Sequence, residues 1–248
     1  MLPRRIKGSA AARAADALPL RVGGVVPFTS TDYPDMLAAV IFCQGCPWHC
    51  GYCHNAHLIP ARGKDERDYA RILAWLETRV GLLDAVVFSG GEPTAQAALG
   101  AAMDDIRELG FAIGLHTSGA YPRRLAQVLP KVDWVGVDFK APLADYASVT
   151  GAPGSGLAAL ESLELIRNSG VAYEVRTTVH PSLTPPAALV RLARELAARG
   201  VERWTLQAFR PTGCVNDEIA AVVPSTTTFD AALLAELAVH MPVIEVRG

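Results

Sequence analysis

Six short strand-like segments, near residues 40, 86, 113, 136, 176 and 206, alternate with segments whose apolar residues recur at helical spacing. No other feature constrains the fold so strongly, because strands separated by helices assemble as βα units with right-handed crossovers around a parallel sheet. Residues 37–42 form a continuous apolar run, the pattern of a strand buried on both faces. Tyr69, Ile72, Leu73, Leu76 and Val80 mark a helix before the strand 85–88, and Leu99, Met103, Ile106 and Leu109 mark another before 111–115. A short helix over 123–129 precedes the strand 134–139. A helix over 157–168, with Gly170 at its C-cap, precedes 173–179. Pro185 and Pro186 open a helix that reaches Arg199 and stops at Gly200, ahead of the strand 204–209. A strand over 21–29 comes first; a helix over 228–240 and a strand over 243–246 come last. The expected class is α/β, one domain built as an open or partial barrel. At 248 residues, half of them apolar, the chain can fill such a core.

Composition excludes several roles. Net charge is −2 with no block of like charges, so neither nucleic acid nor an anionic lipid surface is an expected partner. Apolar runs such as 36–43 fall far short of the roughly 18–20 residues of a membrane span. The first residues carry Arg4, Arg5, Lys7 and Arg13 among alanines and lack the apolar region of a secretory signal. Residues 1–19 therefore read as a flexible leader. Residues 20–248 read as the domain, with a core over about 37–210 and a C-terminal helix and strand over 226–246. Four of the five cysteines lie between Cys43 and Cys53, too close together to staple a large domain. That spacing points to metal binding in a reducing compartment, the cytoplasm.

The motif is Cys46-x3-Cys50-x2-Cys53. Three thiolates on an eight-residue loop can hold three irons of a cubane cluster and leave the fourth open to a non-protein ligand. A structural zinc site on Cys43, Cys46, Cys50 and Cys53 would draw on the same residues. Cys43 ends a buried strand and reads as a small core residue. Cys214 is either an ordinary loop thiol or a neighbour of the cluster, and His49, His54 and His57 read as loop residues. Polar and glycine residues follow the strands: Ser89-Gly90-Gly91-Glu92-Pro93, then His116-Thr117-Ser118-Gly119, then Asp138-Phe139-Lys140. In α/β folds the carboxyl ends of the strands carry the ligand site, so these loops converge on one face. Paired glycines admit close approach of a ligand to backbone, and strand alternation puts Asp138 and Lys140 on one face with Phe139 opposite.

This cysteine spacing, with Tyr52 just before the third cysteine, resembles the signature of the radical S-adenosylmethionine (SAM) superfamily. With Thr31-Asp32-Tyr33-Pro34 upstream and Cys53-His54-Asn55 following, residues 21–210 resemble the activating proteins of anaerobic ribonucleoside-triphosphate reductases, relatives of the pyruvate formate-lyase activating enzyme. The resemblance implies a single-domain partial (β/α)6 TIM-like barrel with a 4Fe-4S cluster on Cys46, Cys50 and Cys53. It implies SAM contacts from Tyr52, Gly90, Gly91, Glu92, Ser118, Asp138, Lys140 and Arg176, with Glu92's motif at the SAM amino group. His116 stands where relatives often carry an acid. It further implies that an electron from reduced flavodoxin or ferredoxin cleaves SAM to methionine and a 5'-deoxyadenosyl radical. That radical takes hydrogen from a backbone glycine of the partner reductase, with no catalytic side chain beyond cluster and SAM. Two other roles stay open: a radical SAM enzyme acting on a small molecule or peptide, and a zinc or electron-transfer module.

Overall fold

The computed structural model describes residues 19–222 and 229–247. Its strands are β1 (Val22–Thr29), β2 (Ala38–Cys43), β3 (Ala85–Gly90), β4 (Ala112–Thr117), β5 (Trp134–Asp138), β6 (Ala172–Val179), β7 (Arg203–Ala208) and β8 (Val243–Arg247). They form one eight-stranded sheet in chain order. β1 runs antiparallel to β2, and every later neighbour is parallel. β1 and β8 are its edges, so the barrel stays open, as expected.

The helices are α1 (Tyr69–Glu77), α2 (Leu99–Glu108), α3 (Pro122–Val128), α4 (Tyr146–Thr150), α5 (Ser155–Ser169), α6 (Pro186–Ala197), α7 (Asp217–Ala221) and α8 (Ala231–Ala238). α1 starts where the Asp68 carboxylate accepts the Ala70 N–H at 2.9 Å, and it buries Tyr69, Ile72, Leu73 and Leu76. Val80, expected on that face, lies beyond the helix and is 55% exposed, because the chain turns at Gly81 in a left-handed conformation. α6 ends at Ala197, short of Arg199. α8 begins at Ala231, where Asp230 caps it by accepting the Leu233 N–H at 2.7 Å. α4 and α7, of five residues each, are too short to have shown a helical period. The expected leader, apart from Pro19, and residues 226–228 of the expected C-terminal segment lie outside the described residues.

Strand alternation sorts the core into two sides. Ala39, Ile41, Val86 and Phe88 face the helices, whereas Ala38, Val40, Ala85 and Val87 face the barrel interior with Tyr33 and Trp134, whose rings lie 5.3 Å apart. This apolar layer plugs the amino-terminal end of the strands. The layer above it is polar, holding His116, Asp138 and Arg176 on the same inward face. Gly136 makes room for it: a Cβ there would sit 2.9 Å from the Arg176 guanidinium carbon and 3.0 Å from the Trp134 ring. Among the described residues no helix is long and apolar enough to cross a membrane.

Candidate active site

A cavity of about 160 Å³ opens at the carboxyl ends of β2 to β6, and Cys46, Cys50 and Cys53 all line it. Their loop is pinned by its backbone. The Gly45 and Cys46 N–H groups donate to Leu58 and Ile59 carbonyls at 2.7 and 3.0 Å, and those of His49 and Gly51 donate to Thr150 and Val149 of α4. Trp48 packs edge-on against Tyr146, 5.9 Å between ring centres. Burial pushes the Cys46 thiol up to about 12 and raises Cys50 as well, a penalty that a bound cation would offset.

Cys43 is not part of this arrangement. It is fully buried at the end of β2, paired in register with Val22 and Gly90. Among the described residues no three His, Cys, Asp or Glu side chains converge tightly enough to chelate a single metal ion. Three thiols on one cavity are the donor set that would hold three irons of a cubane cluster. Cys214 sits behind the loop, its thiol donating to the Gly51 carbonyl at 3.6 Å.

The loop after β3 is spliced to the cysteine loop through backbone. Gly91 N–H donates to Cys43 O at 2.9 Å and Glu92 N–H to Gly45 O at 2.8 Å. Gly90 has φ +114, and a Cβ there would lie 2.4 Å from Cys43 N; at Gly91 it would lie 2.4 Å from Gly45 O. Both glycines line the cavity, but the close approach that demands them is to protein backbone. Glu92 lies behind the wall, fully buried. Its Oε1 accepts the Thr94 N–H (3.1 Å), Thr94 hydroxyl (2.6 Å) and Thr117 hydroxyl (2.8 Å), and its Oε2 accepts the Ser118 N–H (2.8 Å) and hydroxyl (2.6 Å). The carboxylate thus braces the loops after β3 and β4 against each other, while Ser118 lines the cavity.

Asp138 and Arg176 are register partners on β5 and β6. Arg176 Nε and Nη2 both reach Asp138 Oδ1, at 3.0 and 2.9 Å, and Lys140 Nζ lies 3.7 Å from Oδ2. Burial opposes ionisation of Asp138, yet Arg176, Lys140 and His116 hold its carboxyl below the usual carboxylate range. Burial likewise works against the Lys140 ammonium, but Tyr52, Asp138 and Cys50 hold it well above its ordinary value. Lys140 Nζ also stands 5.7 Å over the Tyr52 ring, whose buried hydroxyl has no hydrogen-bond partner among the described residues. His116 Nε2 is 2.8 Å from Asp32 O and 3.1 Å from Arg176 Nη1; burial first, then Arg176, pushes its imidazolium down to about 3. It is a neutral imidazole at neutral pH.

Cys46, Cys50, Cys53, Tyr52, Gly90, Gly91, Ser118, Asp138, Lys140 and Arg176 therefore share one cavity, and Glu92 does not reach it. A second cavity, of about 640 Å³, adjoins the first through shared walls at His54, Arg176 and Thr178 and extends along Asp32, Gln207 and Arg247. Sequence reasoning missed Gln207 and Arg247. Their available signal was polar residues at alternate positions in otherwise strand-like runs: Arg176 and Thr178, Thr205 and Gln207, Glu245 and Arg247.

The Radical SAM superfamily model matches residues 40–196. A Methanocaldococcus jannaschii protein provisionally named a glycyl-radical enzyme activating enzyme is 27% identical over 206 residues, covering 79% of this chain and 83% of that one. The pyruvate formate-lyase-activating enzyme of Clostridium pasteurianum is 28% identical over 71% of this chain and 77% of its own. Among solved structures, Streptococcus suis SuiB bound to its precursor peptide SuiA superposes with a TM-score of 0.66 at 12% identity, over 84% of this chain and 48% of SuiB. The chain thus spans about half of SuiB, a likeness of fold alone.

Proposed function

The chain belongs to the radical SAM superfamily, whose cofactors are a 4Fe-4S cluster and SAM, and from that premise we propose that it activates a glycyl radical enzyme. The partner we assign is anaerobic ribonucleoside-triphosphate reductase, with reduced flavodoxin or ferredoxin as electron donor, in the cytoplasm. Residues 20–248 act as one domain. The observation that carries this reading is the match to two activating enzymes over more than two thirds of both chains.

Cys46, Cys50 and Cys53 hold the cluster in this reading, and Tyr52, Gly90, Gly91, Ser118, Asp138, Lys140 and Arg176 bind SAM. When bound, the pair supplies reductive cleavage of SAM to methionine and a 5'-deoxyadenosyl radical, which takes hydrogen from a glycine of the partner. The chain's own contribution is placement. Arg176 ties up one oxygen of Asp138, so the other faces the cavity as an acceptor next to the Lys140 ammonium. Glu92 fixes Ser118 through both its N–H and its hydroxyl, and so sets the orientation of that loop.

Anaerobic reconstitution with iron and sulfide tests the reading. The expected result is a glycyl radical signal on the reductase that requires SAM, reductant and this chain. A modified small molecule or peptide appearing instead, with no radical on any reductase, overturns it. Cys50→Ala is expected to lower bound iron and sulfide several-fold and abolish 5'-deoxyadenosine; retention of a full cluster in that variant would remove the cysteine assignment.

A further inference from the structure

The second cavity is built by strand register. Thr178 on β6 is paired with Gln207 on β7, and Gln207 with Arg247 on β8, so the three side chains form one row on the inward face. One layer deeper, Arg176, Thr205 and Glu245 form the parallel row. The charges of these rows are already matched. Arg176 is held by Asp138, and Arg247 donates to both oxygens of Glu174, at 2.9 and 2.6 Å, and to Glu245 at 3.1 Å. Arg210 at the rim is also engaged. A phosphate or free carboxylate would have to compete with these carboxylates for the Arg176 and Arg247 guanidinium groups. Among the described residues Ala208 is the sole apolar residue of the lining, which offers a large hydrophobic ligand little matching surface.

What the row leaves uncommitted is neutral. Among the described residues, neither the Thr178 hydroxyl nor the Gln207 carboxamide has a hydrogen-bond partner, and both open on the cavity. A carboxamide presents one acceptor and two donors, the complement of the N–H and C=O of a peptide unit. The geometry points to Gln207 as the residue that grips a main-chain amide of the substrate, so that the second cavity takes a polypeptide segment by its backbone, at a place flanked by small side chains. Because His54, Arg176 and Thr178 line both cavities, that segment lies directly beside the cofactor cavity. This inference rests on the activase reading and adds the group that recognises the target.

The test is direct binding to the reconstituted, SAM-loaded, unreduced enzyme, read by fluorescence anisotropy. The probes are a capped heptapeptide of alanine and serine with a central glycine, and its ester analogue with glycolate in place of that glycine, which removes one N–H. Wild type is expected to bind the ester about five- to tenfold more weakly, the worth of one hydrogen bond. In Gln207→Leu, which removes both the acceptor and the donors of the carboxamide, the amide peptide is expected to bind at least as weakly as the ester does to wild type, and the two probes to differ by less than twofold. Iron content and SAM affinity should be unchanged, which scores the fold of the variant separately. An equal ester penalty in both proteins overturns the assignment of Gln207. No binding of either probe to wild type overturns the backbone site altogether. The radical signal on the reductase, measured independently, decides whether the activase reading falls with it.

Discussion

Two buried side chains carry more than their positions in the chain suggest. Glu92 is fully buried and accepts five hydrogen bonds, so Glu92→Ala leaves several buried donors unsatisfied at once. A loss of about 3 kcal/mol or more is expected, seen as a lower urea midpoint at unchanged slope. An unshifted midpoint would mean that water replaces the carboxylate without cost. His116 acts through its charge state. Its folded value lies near 3, well below the ordinary 6.5, so between those values the unfolded chain binds a proton that the folded chain refuses. Its contribution to stability is present above about pH 6.5 and is lost as pH falls toward 3, with a slope of up to about 1.4 kcal/mol per pH unit. In His116→Gln that part of the slope is expected to vanish from unfolding curves taken between pH 6.5 and 4. Neither role could be read from the sequence. Glu92 announced a ligand contact because its partners, Thr117 and Ser118, lie 25 and 26 residues away on the next strand's loop. His116 looked like a lost acid because Asp32 and Arg176 are brought to it only by folding.

At the scale of elements, β2 to β5 were legible as buried, largely apolar runs and β6 and β7 as β-branched, strand-like segments, each separated from the next by an amphipathic or glycine-stopped helix. The cysteine loop and the loops after β3, β4 and β5 were legible for a related reason: parallel βα units deliver every strand end to one face. The second cavity was not. Its walls come from β6, β7, β8 and the turn at Asp32, and only sheet register puts Thr178, Gln207 and Arg247 in one row. The glycine pair lines the cavity, but the atoms it packs most closely against are protein backbone. Gly91→Ala would force a Cβ to within 2.4 Å of the Gly45 carbonyl oxygen, pushing apart the loops after β2 and β3. The expected outcome is reduced iron and sulfide per chain after reconstitution, with far-ultraviolet circular dichroism near wild type. Full cluster loading in that variant would show that the two loops tolerate separation.

The whole molecule is an open sheet whose amino-terminal end is plugged by Tyr33 and Trp134 and whose carboxyl end opens on two adjoining polar cavities. Ligands that bind only the folded form should therefore stabilise it globally. SAM at a hundredfold excess over its dissociation constant is expected to add about 2.7 kcal/mol to the reconstituted protein, read as a higher unfolding temperature. The increment should be absent in Cys50→Ala.

The sheet is assembled in chain order, and this has a consequence in time. The three cysteines are translated early, and Arg176, the register partner of Asp138, comes 123 residues after Cys53. At typical synthesis rates of roughly 5–20 residues per second, the thiols leave the ribosome some 6 to 25 seconds before the strand that closes the cavity beside them. For that interval a growing chain displays Cys46, Cys50 and Cys53 on an unfinished surface, open to oxidants and stray metals alike. Protection of the nascent cysteine loop is thus a requirement of the topology itself, whichever enzyme the finished protein serves.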